Sequence, residues 1–325
     1  MSKNVNSNFN LSNKEIKSLV YNNYGFTCSI RKLDGEKDLN FRLLTKAKEK
    51  FYLKIYPKKT KLSFIIFQTR LLDFLSKKDQ LKIPTNILSK KRKRYCSYID
   101  TEGEKRYFRI NSWIEGRLWS KVSPIKNKFR FELGKEAALI TKKLKTFKSN
   151  YNDIGMQWDI SNSLWTTEYL NYIKGSKDKK IIKSFQVQFK NSLSEFKNLR
   201  KSFIHNDVND NNIIVSNSLY KPKINGIVDF GDSINSQIIN DVAVTCVYAM
   251  MDCENPLEGS TNVVKGYNSV FKLKENELEF LYIAIAMRLV ISITKSSINK
   301  IHNKENSYLT ISENQAIELI KKWHN

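Results

Sequence analysis

One polar run set between apolar ones constrains this chain most. Phe203-Ile204 leads into His205-Asn206-Asp207-Val208-Asn209-Asp210-Asn211-Asn212, and Ile213-Ile214-Val215 follows. A little further on comes Ile227-Val228-Asp229-Phe230-Gly231-Asp232. Short apolar runs bounded by polar residues read as brief buried strands, which leaves the polar groups on loops at strand ends. The pattern puts a carboxylate and an amide five residues apart, at 207 and 212, on one loop, and a second carboxylate after another strand. Asn212 and Asp229 offer hard oxygen ligands of the kind Mg²⁺ prefers. Asp207 is left to accept a proton from a hydroxyl.

Composition narrows the remaining classes. The 325 residues are 41% hydrophobic and 12% aromatic, which suits a folded chain with a sizeable core. There is no G-x-G-x-x-G and no G-x-x-x-x-G-K-[ST], so a Rossmann or Walker-type phosphate site is not expected. Cys28, Cys96, Cys246 and Cys253 form no C-x-x-C pair, which speaks against a zinc site or a disulfide framework. Met1 to Asn10 is polar and does not read as a signal peptide. The longest nearly apolar stretch, Tyr282 to Ile293, is interrupted by Arg288 and is short for a membrane span. These features together predict a cytoplasmic protein with no membrane partner.

The formal charge of +24 invites a nucleic-acid reading, centred on Lys90-Lys91-Arg92-Lys93-Arg94. A solvated hairpin or strand edge explains that run more simply. Residues 201–270 also hold four lysines, no arginine and eight acids, so they are locally −4. A nucleic-acid groove would not gather carboxylates in this way, whereas a metal-dependent active site would. Nucleic acid is therefore not the expected partner.

Along the chain, 11–22 carries a weak helical pattern. Thr27–Leu33, Leu39–Leu44 and Phe51–Tyr56 read as strands, with Asp34-Gly35 as a turn. Lys61–Lys77 reads as a helix whose inward face holds Ile65, Leu71, Leu72 and Gln68. A hairpin with its tip near Asp100–Glu104 follows, with Arg106–Ile110 as its second strand. After Glu115-Gly116, helices are predicted at about 127–147, 177–199, 238–251, 275–298 and 310–323. The expected class is α+β: a small antiparallel β lobe with one helix at 1–110, a connector at 111–117, and a larger, mainly helical lobe at 118–325.

The H-x-D-x-x-x-x-N run followed by D-F-G-D resembles the aminoglycoside phosphotransferase and choline kinase superfamily, with its two-lobed protein-kinase-like fold. Leu33 to Phe41, Tyr52-Leu53-Lys54-Ile55, Glu115-Gly116 and Ile239-Asn240-Asp241-Val242-Ala243 look like further family segments. Asn206 to Asn212, Asp229 to Asp232, Tyr248-Ala249-Met250, Pro256-Leu257 and Val263 to Tyr267 are most similar to hydroxylysine kinase-like members.

The resemblance implies an ATP- and Mg²⁺-dependent kinase acting on an alcohol of a small molecule. Lys54 would pair with nucleotide phosphates, and backbone between Ile110 and Ile114, including Ser112 and Ile114, would meet the adenine. Asn212 and Asp229 would hold Mg²⁺, Asp207 would be the catalytic base, and His205 and Asp241 would brace the loop. The family's small-lobe helix usually offers a glutamate to the lysine; here Gln68 occupies the inward face and is expected to contact Lys54.

Acceptor candidates are Asn209, Asp232, Trp158, Tyr267, Arg288 and Tyr308. Arg288 has two readings, an internal salt bridge or a clamp on an acceptor carboxylate. A hydroxylated amino acid such as hydroxylysine is the favoured acceptor. Homoserine, choline, ethanolamine or an aminoglycoside are alternatives, as is a catalytically weak binding module.

Overall fold

The computed structural model describes residues 11–36, 38–76, 83–151, 155–251, 253–302 and 313–324. The chain divides into two compact units: Met1–Thr69 with Pro84–Trp113, and Arg70–Ile83 with Ile114–Asn325.

Unit 1 is built on a five-stranded antiparallel sheet. Its strands are β1 (Cys28–Leu33), β2 (Leu39–Thr45), β3 (Lys50–Ile55), β4 (Cys96–Ile99) and β5 (Lys105–Ser112), in the order β1-β2-β3-β5-β4. Period-2 alternation gives this sheet two different faces. Phe41, Leu43, Leu53, Ile55, Phe108 and Ile110 point to one side and pack with Ile16 and Val20 of helix α1 (Asn13–Tyr24). That helix is the weak pattern at 11–22. It starts with a Ser12–Glu15 capping box and stops at Gly25, whose φ of 85° suits a residue without a side chain. It is a second helix for this unit, beside the expected one. Lys54 lies on the other face of the sheet, registered between Asn40 on β2 and Arg109 on β5. Helix α2 (Leu62–Ser76) follows β3 and runs across the division of the chain at Thr69–Arg70.

Unit 2 is mainly helical. Beside the end of α2 it holds the short strand β6 (Arg117–Leu118) and helix α3 (Asn127–Leu144), then a 3₁₀ segment at Ile160–Tyr172 and helix α4 (Ser176–Lys197). The expected short-stranded piece follows as β7 (Lys201–Ile204), β8 (Ile213–Val215), β9 (Ile224–Ile227) and β10 (Ile234–Gln237). Strand β10 pairs with β7, while β8 lies between β6 and β9. Helices α5 (Ile238–Met250), α6 (Pro256–Val270), α7 (Glu275–Glu279), α8 (Leu281–His302) and α9 (Glu313–His324) complete the unit.

Three features of these helices matter below. All of α5 is buried, so its polar Asp241 and Asn240 need internal partners. Helices α3 and α6 cross closely: a Cβ at Gly134 would sit 2.0 Å from the Val263 carbonyl oxygen, and one at Gly266 would sit 1.9 Å from that of Phe131. Helix α8, at 22 residues, is longer than its apolar stretch suggested, and by length and composition alone it could cross a membrane. In the fold, 78% of its apolar window is buried, which makes it a core helix of unit 2.

Candidate active site

Strand pairing builds the unit 2 site. The loop 205–212 joins β7 to β8, and the loop 228–233 joins β9 to β10. Ile204 is registered with Ile234 and Ile213 with Ile227, so both loops leave the same strand pairs. The Val228 N–H donates to the Asn212 carbonyl at 2.8 Å and ties the loops together.

Asp207 is held at both carboxylate oxygens. Its Oδ2 accepts from Asn209 Nδ2 and from Asn212 Nδ2, each at 2.8 Å, and its Oδ1 accepts from Arg288 Nη2 at 2.9 Å. Burial pushes the Asp207 carboxyl above the ordinary aspartate value, and the Arg288 charge pulls against that rise. Asn212 Nδ2 also donates to the Asp207 carbonyl at 2.9 Å. With its nitrogen spent on Asp207, the Asn212 amide turns its oxygen away as a neutral hard donor. Asp229 stands at the head of the second loop with φ 56°, and its Oδ1 accepts from the Gly231 N–H at 3.1 Å. One neutral and one anionic oxygen suit a Mg²⁺ ion that retains water and takes phosphate oxygens as its other ligands.

His205 and Asp241 bind backbone. The Asp241 carboxylate, in the first turn of α5, accepts from the His205 N–H at 3.1 Å and the Asn206 N–H at 2.7 Å. His205 Nδ1 accepts from the Asp207 N–H at 3.2 Å, which leaves Nε2 to donate to the Val228 carbonyl at 3.1 Å. The imidazole thus spans the two loops, and its ring packs on Phe230 at 4.4 Å between centroids.

Arg288 is 1% exposed and stands over Trp158, with Cζ 4.5 Å from the centroid of the aromatic ring. Its Nη2 also donates to the Tyr248 hydroxyl at 3.2 Å. Burial opposes the charge, but Tyr248 and Asp207 more than offset it and keep the guanidinium protonated. Asp232, beside Asp229, adds a further anionic influence on Arg288. Of the two readings of Arg288, the internal ion pair is present, and its partner is Asp207 itself.

Trp158 sits between two anchors. Ahead of it, Met156 Sδ meets Asn206 Nδ2 at 3.7 Å. After it, the buried Asp159 carboxylate accepts from the Ser161 N–H, the Ser236 hydroxyl and the Asn240 amide at 2.8–3.1 Å. Burial raises the Asp159 carboxyl, and these donors work against the rise. Tyr267 lies elsewhere in the core on α6, fully buried, with its ring edge-on to Phe271 at 6.0 Å. It makes no hydrogen bond to Asp207 or Arg288. Tyr308 lies outside the described residues.

In unit 1, Lys54 is 3% exposed and pairs with Asp38 Oδ2 at 2.9 Å. Gln68, on α2, accepts from the Tyr56 hydroxyl at 2.7 Å, with Arg109 Nη2 at 3.4 Å. Ser112 ends β5, where its N–H donates to the Thr85 carbonyl and its hydroxyl accepts from the Thr85 N–H, both at 2.9 Å. Ile114 opens the second stretch of unit 2 and is half-buried.

Among the residues at these groups, the sequence assigns no role to Asp38, Arg109, Tyr248 or Lys295, whose Nζ lies 5.0 Å from the centroid of the Trp158 ring. Lys295 had a readable signal. It follows Arg288 by seven residues, two helical turns, and so shares its face of α8.

With the geometry in place, comparison decides the family. The model of the phosphotransferase enzyme family matches residues 29–262. The chain belongs to that family. This phosphotransferase is 27% identical over 332 residues to a hydroxylysine kinase of Danio rerio, a match covering 96% of the chain and 91% of that relative. Its fold is shared by a microcompartment-associated aminopropanol kinase, with a TM-score of 0.74 at 15% identity over 96% of this chain and 97% of that one. An amicoumacin kinase, solved with AMP-PNP and Ca²⁺, superposes with a TM-score of 0.72 at 14% identity over 96% and 93% of the two chains. The expectation of a two-lobed kinase-like phosphotransferase fold is met.

Proposed function

We propose that this phosphotransferase moves the γ-phosphate of ATP, with Mg²⁺, to the alcohol of a small hydroxylated amino acid, with hydroxylysine the best candidate. The observation that carries the reading is Asp207, a carboxylate fixed at both oxygens beside an asparagine whose amide oxygen faces away from it. Phosphoryl transfer asks little covalent chemistry of a protein; it needs positioning and neutralised charge. Asp207 would orient the acceptor hydroxyl and take its proton, an effect typically worth ~10²–10⁴-fold. Asn212 and Asp229 would hold Mg²⁺, which supplies charge neutralisation at the phosphates when bound. His205 and Asp241 would keep the loop in register.

The proposal assigns nucleotide binding to the lobe at 1–110, with a connector at 111–117, and catalysis and acceptor binding to 118–325. Lys54, oriented by Asp38, would neutralise nucleotide phosphates, with Gln68 supporting that face of the sheet. Backbone near Ser112 and Ile114 would meet the base. Asn209 and Asp232 would border the acceptor beside Asp207. The curated relative's name supports hydroxylysine over an aminoglycoside, and so does the cation placed against the base.

The test is ADP production from Mg²⁺-ATP against 5-hydroxylysine, homoserine, choline, ethanolamine and kanamycin, with Asp207→Asn as control. Turnover with 5-hydroxylysine that vanishes in the control is expected. Turnover only with choline or kanamycin would overturn the acceptor assignment. Binding of nucleotide without turnover on any acceptor would replace the kinase with a binding module.

A further inference from the structure

We infer that Arg288, Lys295 and Trp158 form a carboxylate-recognition subsite for the acceptor, separate from Asn212 and Asp229 and joined to Asp207 through Arg288 Nη2. The inference rests on the kinase reading for its biological sense, though its geometry stands apart from turnover.

Arg288 has more donor hydrogens than its protein partners use. Nη2 carries two, and both are committed, one to Asp207 Oδ1 and one to the Tyr248 hydroxyl. Nε and Nη1 are buried and have no hydrogen-bond partner among the described residues. A charged donor left without an acceptor is costly at a buried position, and natural folds rarely leave one that way. Asp207 satisfies one side of this guanidinium only. Nε and Nη1 carry donor hydrogens and positive charge with no acceptor among the described residues.

A second cation stands beside it. Lys295 Nζ lies 5.0 Å from the centroid of the Trp158 ring, the same ring that Arg288 covers at 4.5 Å. Both cations meet the indole, whose π face favours positive charge, so the ring gathers Arg288 and Lys295 at one place in unit 2. Asp232, in the second loop, adds an anionic influence on Arg288 beside that of Asp207.

The ring is also held in place. Met156 against Asn206, and Asp159 against Ser236 and Asn240, fix the chain on both sides of Trp158. The platform is thus assembled before a ligand arrives, which lowers the ordering cost of binding. The ligand class that fits is a compact carboxylate carried on the same molecule as the hydroxyl that Asp207 addresses. A polycation or a quaternary ammonium acceptor would meet two like charges instead.

Calorimetric titration of the full chain with three probes tests this. They are 5-hydroxylysine, its α-carboxamide, and 1,5-diaminopentan-2-ol, which lacks the carboxylate. ADP formation is followed in parallel. The acid is expected to bind about 10- to 100-fold more tightly than either analogue, the range of one charge-assisted hydrogen-bonded contact. Lys295→Met, a change at a half-buried position, is expected to shrink that preference severalfold while leaving the analogues' affinity unchanged. Trp158→Leu should shrink it as well.

Equal binding of acid and amide, or a preference unchanged in both variants, overturns the subsite. So does failure of all three probes to bind. Acid-selective binding without ADP formation keeps the subsite and removes the kinase reading. ADP formation indifferent to the carboxylate keeps the kinase and removes the subsite.

Discussion

Arg288 Nη2 lies 2.9 Å from Asp207 Oδ1, so the residue proposed as base is ion-paired to a helix 81 positions away in sequence. The pair gives the arginine two effects on one carboxylate. It fixes the direction of the Asp207 oxygens, and it opposes the rise in pKa that burial imposes.

Removing the cation should therefore move the acid limb of activity. Asp207 must be ionised to take a proton, so kcat/KM falls as pH drops through its raised folded pKa. Arg288→Met removes the influence that lowers that pKa, and the acid limb is expected to shift to higher pH, with reduced kcat/KM throughout. Profiles of kcat/KM against pH for both proteins check this; an unmoved limb would show that Arg288 does not act on the base. Breaking a buried ion pair also costs about 3–5 kcal/mol of stability, to be read from urea unfolding.

Asp38 is the carboxylate that Lys54 meets at 2.9 Å, and the lysine is 3% exposed. Asp38→Ala leaves a buried ammonium short of its counter-charge. The expected result is a raised KM for ATP and a loss of about 1–3 kcal/mol in stability. An ATP KM equal to wild type would mean that Asp38 does not orient Lys54 for nucleotide.

Gln68 accepts from the Tyr56 hydroxyl, with Arg109 close by. Gln68→Ala removes that acceptor from a buried face and should destabilise the fold by about 1–3 kcal/mol. Gln68→Glu keeps the acceptor and places a charge near Arg109, so it should retain most of the stability that alanine loses. Paired denaturant titrations decide between these outcomes, and ATP affinity in Gln68→Ala tests the proposed support of Lys54.

The crossing of α3 and α6 is set by two glycines. A methyl at Gly266 would fall 1.9 Å from a backbone oxygen, which no rotamer change can relieve. Gly266→Ala is expected to cost at least about 1–3 kcal/mol, the range typical of overpacking. A melting temperature unchanged from wild type would show that the helices can part freely.

Much of this was legible in the sequence. Strands β1, β2 and β3, the hairpin of β4 and β5, and helices α2 to α4 lie within a few residues of their expected positions, because apolar periodicity there matches one buried face, and α5 does so as a continuous apolar run that the fold buries on all sides. Asp207, Asn209 and Asn212 were legible as neighbours because a single short loop carries them. Other features were harder to read. Helix α6 has the composition P-L-E-G-S-T-N-V-V-K-G-Y-N-S-V, rich in weak helix formers, and close packing on α3 holds it helical. Its Asn255 cap and Pro256 at the first turn were the available signal. The predicted helix at 275–298 is two helices, α7 and α8, parted at Phe280.

The site partners separated furthest in sequence were the least legible. The sequence marks Arg288 as a cation in an apolar helix, but only the fold shows that Asp207 is its counter-charge. Asp38 and Lys54 meet across the start of β2, a contact that strand register decides. Tyr267 follows a helical apolar pattern as well as a candidate site residue would, and the fold buries it completely.

Asn206 and Asp229 both adopt left-handed backbone, with φ of 66° and 56°. Asn and Asp tolerate that conformation better than other side chains, yet glycine takes it with no steric penalty, though its looser unfolded chain returns part of the gain. Heat tolerance and the proposed chemistry therefore pull in opposite directions at position 229. A mutant library selected only for survival at high temperature would tend to enrich glycine there, and the better its members endured, the fewer of them would still carry the carboxylate proposed to hold the metal.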